Sequence, residues 1–192
     1  MNIDNFKIDD FVIAKSDING IQSQSVGIII AITGKNIKVH FVGADRVIEC
    51  ISSMIEYLDI KKTGKPYEKK ICNVCHILKN RLTDFSINQT DAYGRKTTRP
   101  TCKKCRVKID GKPLKSTDKI TLIKKRPKGI FKCPICNKTS IPGVTANLVM
   151  DHDHITGSGR EWICDSCNTG LGRFKDNIEI LKRAIEYLKK YN

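Results

Sequence analysis

The first 60 residues alternate between short apolar runs and turn residues. The runs are rich in β-branched side chains, and the sequence has no long helical pattern in this part. Turns are indicated at Asn19-Gly20, Gly34 and Gly43. Four or five short strands with tight turns predict a small antiparallel β-barrel over residues 1–60. The predicted strands are Phe11–Ala14, Val26–Ile32, Ile37–Val42 and Arg46–Cys50.

The last part of the chain has the periodicity of a helix. Asp176 followed by Glu179 resembles a capping box, in which the first side chain caps the helix and the second returns to it. The apolar residues that follow recur every three or four positions, which is typical of a helix that packs one face into a core. These residues are Ile178, Leu181, Ala184, Ile185 and Leu188.

Eight of the nine cysteines form four CxxC pairs. Thiolates at this spacing reach one tetrahedral zinc ion, and two pairs complete a site. A thioredoxin-like role is disfavoured, because it needs one CxxC at a helix start in a βαβ unit. The ninth, Cys50, is expected to be a small buried hydrophobe. We therefore predict two structural zinc ions, one bound by Cys72, Cys75, Cys102 and Cys105 and the other by Cys133, Cys136, Cys164 and Cys167.

The cysteine pairs reveal an internal repeat. Between Cys75 and Cys102 lie 26 residues, and between Cys136 and Cys164 lie 27. Such a period predicts one zinc-held unit used twice, each copy too small to fold without its metal. The expected domains are thus the barrel at 1–60, a first zinc-bound repeat at 61–130 and a second at 131–192, which together make an α+β fold.

Positive charge is concentrated in the middle of the chain. Residues 61–130 carry 21 basic and five acidic side chains, whereas residues 1–60 have a net charge of −3. This distribution favours a polyanionic partner, although a solvated lysine-rich surface is the alternative. A membrane partner is not expected, because the longest apolar run is far shorter than the roughly 20 residues that span a bilayer. The polar start of the sequence is unlike a signal peptide, so we expect a cytoplasmic protein.

The two repeats differ at three positions that carry chemistry. When they are superposed on their second CxxC, Asp151, His152 and Asn168 correspond to Gln89, Thr90 and Arg106. The first repeat thus lacks the acid, the imidazole and the amide, but it is basic, so we expect it to bind DNA while the second repeat cuts. A purely structural zinc module remains the alternative. The expected DNA-binding residues are Tyr93, Arg95, Lys96, Arg99, Lys103, Lys104, Arg106 and Lys108.

The segment Asp151-His152-Asp153-His154 lies between the third and fourth CxxC, and Asn168 follows the last cysteine. A zinc ion that joins these two pairs would hold both ends of the intervening hairpin and bring Asn168 beside Asp151. Their oxygens suit a hard divalent cation such as magnesium or manganese. Asp165 is a plausible cap of the helix that carries Asn168. We interpret Asp153 as structural and His154 as a structural or phosphate-side partner.

A CxxC, a strand bearing Asp151-His152, and a second CxxC that ends in Cys167-Asn168 resemble the ββα-metal nucleases of the HNH and recombination endonuclease VII type. The resemblance spans Lys132 to about Asn177. It implies that His152 is the general base, that Asp151 and Asn168 bind one catalytic metal ion, and that this ion stabilises the transition state.

The layout of the whole chain resembles a type II restriction endonuclease of this fold that recognises CGWCG. That resemblance implies a homodimer that binds double-stranded DNA and cuts both strands at a short palindrome. Two alternatives stay open at this point. One is a phage-type HNH endonuclease that nicks DNA or resolves junctions, and the other is a zinc module that binds nucleic acid without cutting it.

Overall fold

The structure is a computed structural model that describes residues 6–191. It confirms an α+β fold with mostly short antiparallel strands. The chain forms two compact units, residues 1–106 and residues 107–192. The expected three domains, 1–60, 61–130 and 131–192, stay a prediction.

The N-terminal strands form a single five-stranded antiparallel sheet. Its order is β4-β3-β2-β1-β5, and a 3-10 turn at Ser52–Met54 leads from the fourth strand to the fifth. Each of the four strands predicted from the sequence is present, with ends that differ by at most one residue. The bounds are β1 Phe11–Ala14, β2 Val26–Thr33, β3 Asn36–Phe41, β4 Arg46–Cys50 and β5 Ile55–Tyr57.

One apolar core fills the inside of this sheet. Ile48 of β4 and Ile55 of β5, which lie at opposite edges of the strand order, belong to the same buried cluster as Phe41. The sheet is therefore curled around its core. Cys50 is buried in this cluster, and burial raises the pKa of its thiol, which confirms the expected role as a small hydrophobe.

The first cysteine repeat packs directly on the sheet. Leu78 shares a core with Ile13, Val26 and Leu58, and the backbone N–H of Val26 donates to the carbonyl of His76 at 2.8 Å. The sheet and this repeat are thereby held in one compact unit. The elements of the repeat are β6 Lys69–Ile71, β7 Leu78–Asn80, β8 Phe85–Thr90, β9 Lys96–Cys102 and helix α1 Lys103–Asp110.

The second repeat has the same order of elements as the first. In both, a two-stranded ribbon holds a CxxC in its turn, a hairpin follows, and the second CxxC lies where the hairpin meets a helix. The structure thus confirms the internal repeat. The elements are β10 Phe131–Lys132, β11 Thr139–Ser140, β12 Leu148–His152, β13 Gly159–Cys164 and α3 Asp165–Arg173, preceded by helix α2 Ser116–Lys124 and followed by α4 Ile178–Lys189.

Two predicted helix caps are wrong by one residue. Helix α3 begins at Asp165 itself, with Cys164 at the capping position. Helix α4 is capped by Asn177, whose side chain accepts a hydrogen bond from the N–H of Ile180 at 3.0 Å. Asp176 instead adopts a positive φ of 48°, which directs its carboxylate to other partners described below.

The apolar stripe of α4 does not pack into a core. Within the described chain no residue of this helix is buried, and Ile178, Ile185 and Leu188 are 68%, 52% and 59% exposed. The expectation of a core-facing helix is therefore wrong for most of the stripe. None of the described helices is long and apolar enough to cross a membrane.

Candidate active site

Two groups of four cysteines converge in the structure. Their sulfur atoms lie within 4.8 Å of one another in each group, which has the membership predicted from the sequence. The Sγ atoms of Cys136 and Cys164 are 3.9 Å apart. Two thiolates of a tetrahedral zinc site with bonds of about 2.3 Å are expected to lie about 3.8 Å apart. Both groups therefore fit a tetrahedral metal ion such as zinc.

Hydrogen bonds from backbone amides favour ionisation of one thiol in each cysteine group. The N–H groups of Val74 and Cys102 donate to Sγ of Cys72 at 3.5 and 3.3 Å. Burial opposes ionisation of this thiol, but the N–H donors outweigh it and lower the pKa of Cys72 to about 6. The same balance, with donors that include Cys136 and Cys164, lowers the pKa of Cys133 to about 6. A metal ligand must be deprotonated, so these two thiols are the most easily ionised ligands with a resolved shift, whereas burial raises the pKa of Cys75, Cys105 and Cys167.

A β-bulge shapes the hairpin that carries Asp151 and His152. In the β12–β13 ladder Met150 pairs with Trp162 and His152 pairs with Gly159, so Asp151 lies opposite two residues, Arg160 and Glu161. Such a bulge twists the strand locally and redirects a side chain. The carboxylate of Asp151 is buried, with the residue only 6% exposed.

Arg160, on the bulged strand, contacts three carboxylates. Its NH1 group donates to Oδ2 of Asp151 at 3.0 Å and lies 3.8 Å from Oδ2 of Asp176, while NH2 lies 3.5 Å from Oδ2 of Asp153. Burial opposes the charge of the guanidinium, but the hydrogen bond and charge of Asp151, with the charges of the other two acids, raise the pKa of Arg160. The arginine is therefore a fixed cation in an acidic cluster.

The turn after His152 is organised by Asp153. Its Oδ1 accepts hydrogen bonds from the N–H groups of Ile155 and Thr156 at 2.9 and 2.7 Å, and from the Thr156 hydroxyl at 3.0 Å. The Thr156 N–H and hydroxyl are the main reasons that the pKa of Asp153 is lowered. These contacts agree with the structural role expected for Asp153.

The two histidines of the segment lie side by side. The ring centroids of His152 and His154 are 4.8 Å apart, with the rings tilted by 58°. Nδ1 of His154 is 3.3 Å from Oδ2 of Asp176, a carboxylate that is itself largely buried. Asp176 thus holds His154, and His154 packs against His152.

Asn168 lies on helix α3, which contacts this hairpin. The helix packs against both β12 and β13, and Asn168, in its first turn and a half, is half-buried. The carboxamide of Asn168 and the carboxylate of Asp151 are hard oxygen donors suited to a divalent cation such as magnesium. The corresponding residues of the first repeat are Gln89 and Thr90 on β8 and Arg106 on α1, which do not form such a donor set.

Helix α2 also packs against the hairpin, on strand β13. The Oδ2 atom of Asp118 accepts a hydrogen bond from the N–H of Gly159 at 2.8 Å, and the indole N–H of Trp162 donates to the carbonyl of Leu122 at 2.8 Å. A Cβ atom at Gly159 would meet the side chains of Asp118 and Leu122 at 3.0 Å. The helix is therefore closely packed on the strand opposite His152.

Three residues that contact the hairpin or its side chains are not identified by the sequence patterns. Asp176 is predicted to be a helix cap, and no pattern assigns a role to Arg160 or Asp118. A Gly-Arg-Glu sequence that follows the DHDH segment after four intervening residues is a weak signal for an arginine near Asp151. The partners of Asp176 and Asp118 are distant along the chain, so no local pattern identifies them.

The residues expected to bind DNA are all exposed. Tyr93, at the tip of the β8–β9 hairpin, is 84% exposed, and the guanidinium of Arg95 lies 5.0 Å from its ring centre. Arg95 also donates to Oδ2 of Asp91 at 2.6 Å, while Lys103 donates to the carbonyl of Thr83 at 2.8 Å. Lys96 and Arg99 lie on β9, and Lys104, Arg106 and Lys108 lie on α1.

Comparison with known proteins identifies the family. The model of the His-Me finger endonuclease beta4-alpha2 domain matches residues 59–111, and that of recombination endonuclease VII matches residues 104–190. The ββα-Me type II restriction endonuclease Hpy99I, of which a crystal structure is known, is 59% identical to this chain in sequence. The two structures match with a TM-score of 0.91, over 97% of this chain and 100% of that chain. The chain belongs to the ββα-Me type II restriction endonucleases. This membership confirms the ββα-metal resemblance and the class of metal-dependent endonucleases.

Two phage proteins are also similar over part of the chain. The Gene 59 protein of Mycobacterium phage D29 is 45% identical over 60 residues, and that of Mycobacterium phage L5 is 47% identical over 58 residues. These matches cover 31% and 30% of this ββα-Me endonuclease. The chain spans about a third of the length of these phage relatives, 35% and 34% respectively.

Proposed function

We propose that this protein is a type II restriction endonuclease that hydrolyses double-stranded DNA at a short palindromic site, with CGWCG the site implied by the resemblance of the whole chain. The observation that carries the proposal is the 59% identity to a restriction endonuclease over nearly the full length of both chains. The bulged hairpin that presents Asp151 and His152 between two converging cysteine pairs supports it.

In the proposed mechanism, Asp151 and Asn168 would hold a single magnesium or manganese ion. Such an ion would supply stabilisation of the negative charge that develops on the phosphate and on the leaving 3′ oxygen. The imidazole of His152 accepts a proton from water, whose oxygen attacks phosphorus as the bond to the 3′ oxygen breaks. The leaving 3′ oxygen takes up a proton from solvent, so the products carry a 5′ phosphate and a 3′ hydroxyl. His154, held by Asp176, keeps the His152 ring in place.

The cysteine groups are proposed to hold structural zinc. In the second repeat, the ion would join the ribbon β10–β11 to the start of α3, which carries Asn168. A small unit of this kind buries little apolar surface, so the metal supplies much of its stability. The zinc therefore fixes the distance between the elements that bear the catalytic residues.

DNA binding is proposed for the exposed basic residues of the first repeat and α1, with Tyr93 beside them: Arg95, Lys96, Arg99, Lys103, Lys104, Arg106 and Lys108. The described residues of each chain contain one candidate active site, and a palindrome presents the same sequence on both strands, so a two-fold dimer places one site at each strand. We therefore propose a homodimer that acts on DNA in the cytoplasm. Sedimentation of the protein with a CGWCG duplex tests for two protomers on each duplex.

Digestion of a plasmid tests the activity and the recognition site together. With magnesium, the purified protein is expected to produce discrete fragments, and sequencing their ends reads the recognition sequence and the stagger. A control plasmid in which every CGWCG is altered is expected to stay intact. Random nicks in both plasmids would contradict a site-specific endonuclease.

A second candidate function is resolution of DNA junctions. The match of the recombination endonuclease VII model to residues 104–190 favours it. Cleavage of a four-way junction that lacks CGWCG, compared with a linear duplex of the same sequence, separates the two functions. A preference for the junction would support this second candidate and contradict the first.

A further inference from the structure

The proposed metal ligand Asp151 already has a partner for one of its two oxygens. Oδ2 accepts the hydrogen bond from NH1 of Arg160 at 3.0 Å, in a place where the carboxylate is buried. The bulge puts Arg160 and Glu161 opposite Asp151, so the side chain of Arg160 leaves the neighbouring strand close to this carboxylate. One oxygen of Asp151 thus contacts the guanidinium.

We propose that Arg160 is a positioning residue that keeps one oxygen of Asp151 occupied, so that the catalytic ion is bound through the other oxygen alone. This inference rests on the proposed metal site at Asp151 and Asn168. The consequence is selectivity for Mg²⁺ over Ca²⁺. Mg²⁺ requires a compact octahedral set of ligands, whereas Ca²⁺ accepts bidentate carboxylates and a larger number of ligands.

The shape of the guanidinium matters as well as its charge. NH1 contacts Asp151 while NH2 lies 3.5 Å from Asp153, which organises the turn after His152. A planar fork with fixed N–H directions makes both contacts at once, and a lysine ammonium, as a single point charge, does not. Arg160 thereby links the orientation of Asp151 to the turn that follows the proposed base.

The surrounding acids explain why a cation is needed here. Oδ2 of Asp176 lies 3.8 Å from NH1 of Arg160, so three carboxylates surround one guanidinium. Without this positive charge the cluster would attract any divalent ion more strongly, because like charges in a partly buried site are poorly screened. Loss of Arg160 is thus expected to weaken selectivity for Mg²⁺ rather than to abolish metal binding.

Metal competition on the zinc-loaded protein without DNA tests the proposal. Mn²⁺ binding is followed by electron paramagnetic resonance of the free ion, and Mg²⁺ and Ca²⁺ are added as competitors. We expect Arg160→Ala and Arg160→Lys both to raise the affinity for Ca²⁺ relative to Mg²⁺ by about tenfold, because Asp151 gains a second free oxygen. Arg183→Ala, an exposed arginine of α4, is the matched control and is expected to keep the wild-type ratio.

Cleavage gives a second readout. Both Arg160 variants are expected to cut DNA at least about tenfold more slowly with Mg²⁺, with unchanged DNA affinity, because the ligand geometry is less well defined. Arg160→Lys preserves the charge and is the variant to rely on if Arg160→Ala does not fold. If Arg160→Lys keeps the wild-type ratio of Ca²⁺ to Mg²⁺ affinity, the proposed role of the planar guanidinium is overturned.

The variant Asp151→Asn tests the proposed metal site separately from the role of Arg160. If Asp151→Asn abolishes Mn²⁺ binding but neither Arg160 variant changes the ratio of Ca²⁺ to Mg²⁺ affinity, Arg160 does not position the ligand. If Asp151→Asn leaves Mn²⁺ binding unchanged, the metal site itself is wrong, and the role of Arg160 is overturned with it.

Discussion

The carboxylate of Asp118 accepts a hydrogen bond from the backbone N–H of Gly159 at 2.8 Å, and Gly159 is the residue that pairs with His152. Helix α2 is thereby attached to the hairpin that carries Asp151 and His152, at the level of the proposed base. The N–H of Gly159 is also the main reason that the pKa of Asp118 is lowered.

Removal of this contact is expected to slow cleavage. Asp118→Ala leaves the N–H of Gly159 without its acceptor, and we expect the maximal cleavage rate to fall about tenfold through a small shift of the hairpin. Asp118→Asn keeps an oxygen acceptor and is expected to stay close to wild type. Single-turnover cleavage measures both, and Thr121→Ala on the same helix is the control. Equal loss in Asn and Ala variants would mean that the charge, not the hydrogen bond, is what matters.

Substitution of the proposed base separates cutting from binding. His152→Ala is expected to lower the cleavage rate by about 10² to 10⁴ while duplex affinity persists, because general base catalysis contributes that much. Fluorescence anisotropy with a CGWCG duplex measures the affinity. His40→Ala, which removes an imidazole paired with Asp45 on the N-terminal sheet, is the control. Unchanged cleavage in His152→Ala would eliminate this residue as the base.

The zinc content is expected to follow the cysteine groups. The wild-type protein should contain two zinc ions per chain, whereas Cys133→Ser should contain one, since a site with three thiolates binds zinc less tightly. Elemental analysis after dialysis measures this. Cys50→Ala is the control, because Cys50 lies in the apolar core outside both groups. Two zinc ions in Cys133→Ser would exclude this residue as a ligand.

Zinc removal is also expected to disrupt the hairpin that carries Asp151 and His152. Trp162, the single tryptophan, lies on β13 next to the second cysteine group and donates its indole N–H to Leu122. Chelation is expected to shift its fluorescence to longer wavelength as this contact is lost and the indole becomes hydrated. Restoration of the emission by added zinc is the control for irreversible damage. An unchanged spectrum after complete zinc removal would contradict a structural role for that ion.

Lysines of α1 are expected to anchor DNA phosphates. The double variant Lys104→Ala/Lys108→Ala should lower the slope of log K against log salt by about two, since each phosphate contact contributes about 0.9. The site preference should stay the same, because phosphate contacts carry no sequence information. Lys182→Ala/Lys189→Ala on α4 is the matched control. A changed preference with an unchanged slope would instead assign these lysines to base contacts.

Part of this molecule was predictable from local patterns. The four strands of the N-terminal sheet follow from β-branched runs between turns, and both cysteine groups follow from the CxxC spacing, because thiolates on a tight turn have few alternatives to a shared metal. The position of Asp151 and His152 between the last two pairs led to the family through a resemblance that the comparison with Hpy99I supports.

The position of Asp176 is not predicted correctly by the local sequence pattern. Its spacing from Glu179 resembles a capping box, yet Asn177 caps the helix and Asp176 contacts His154 and Arg160. The largely buried carboxylate of Asp176 pairs with His154 and Arg160, and Asn177 takes the capping position instead. Those pairs depend on residues 16 and 22 positions earlier in the sequence, so no local pattern anticipates them.

The sequence by itself determined the strands of the N-terminal sheet, the repeat and the two cysteine groups, and its resemblance to a nuclease family implied the candidate catalytic residues. These features depend on side-chain periodicity and on short spacings, which act over a few residues. Only the tertiary structure decided that Arg160 occupies an oxygen of Asp151, that Asp118 supports the strand opposite His152, and that the stripe of α4 stays exposed. Such contacts depend on a bulge and on the packing of distant helices, because electrostatic and packing energies are set by distance in space.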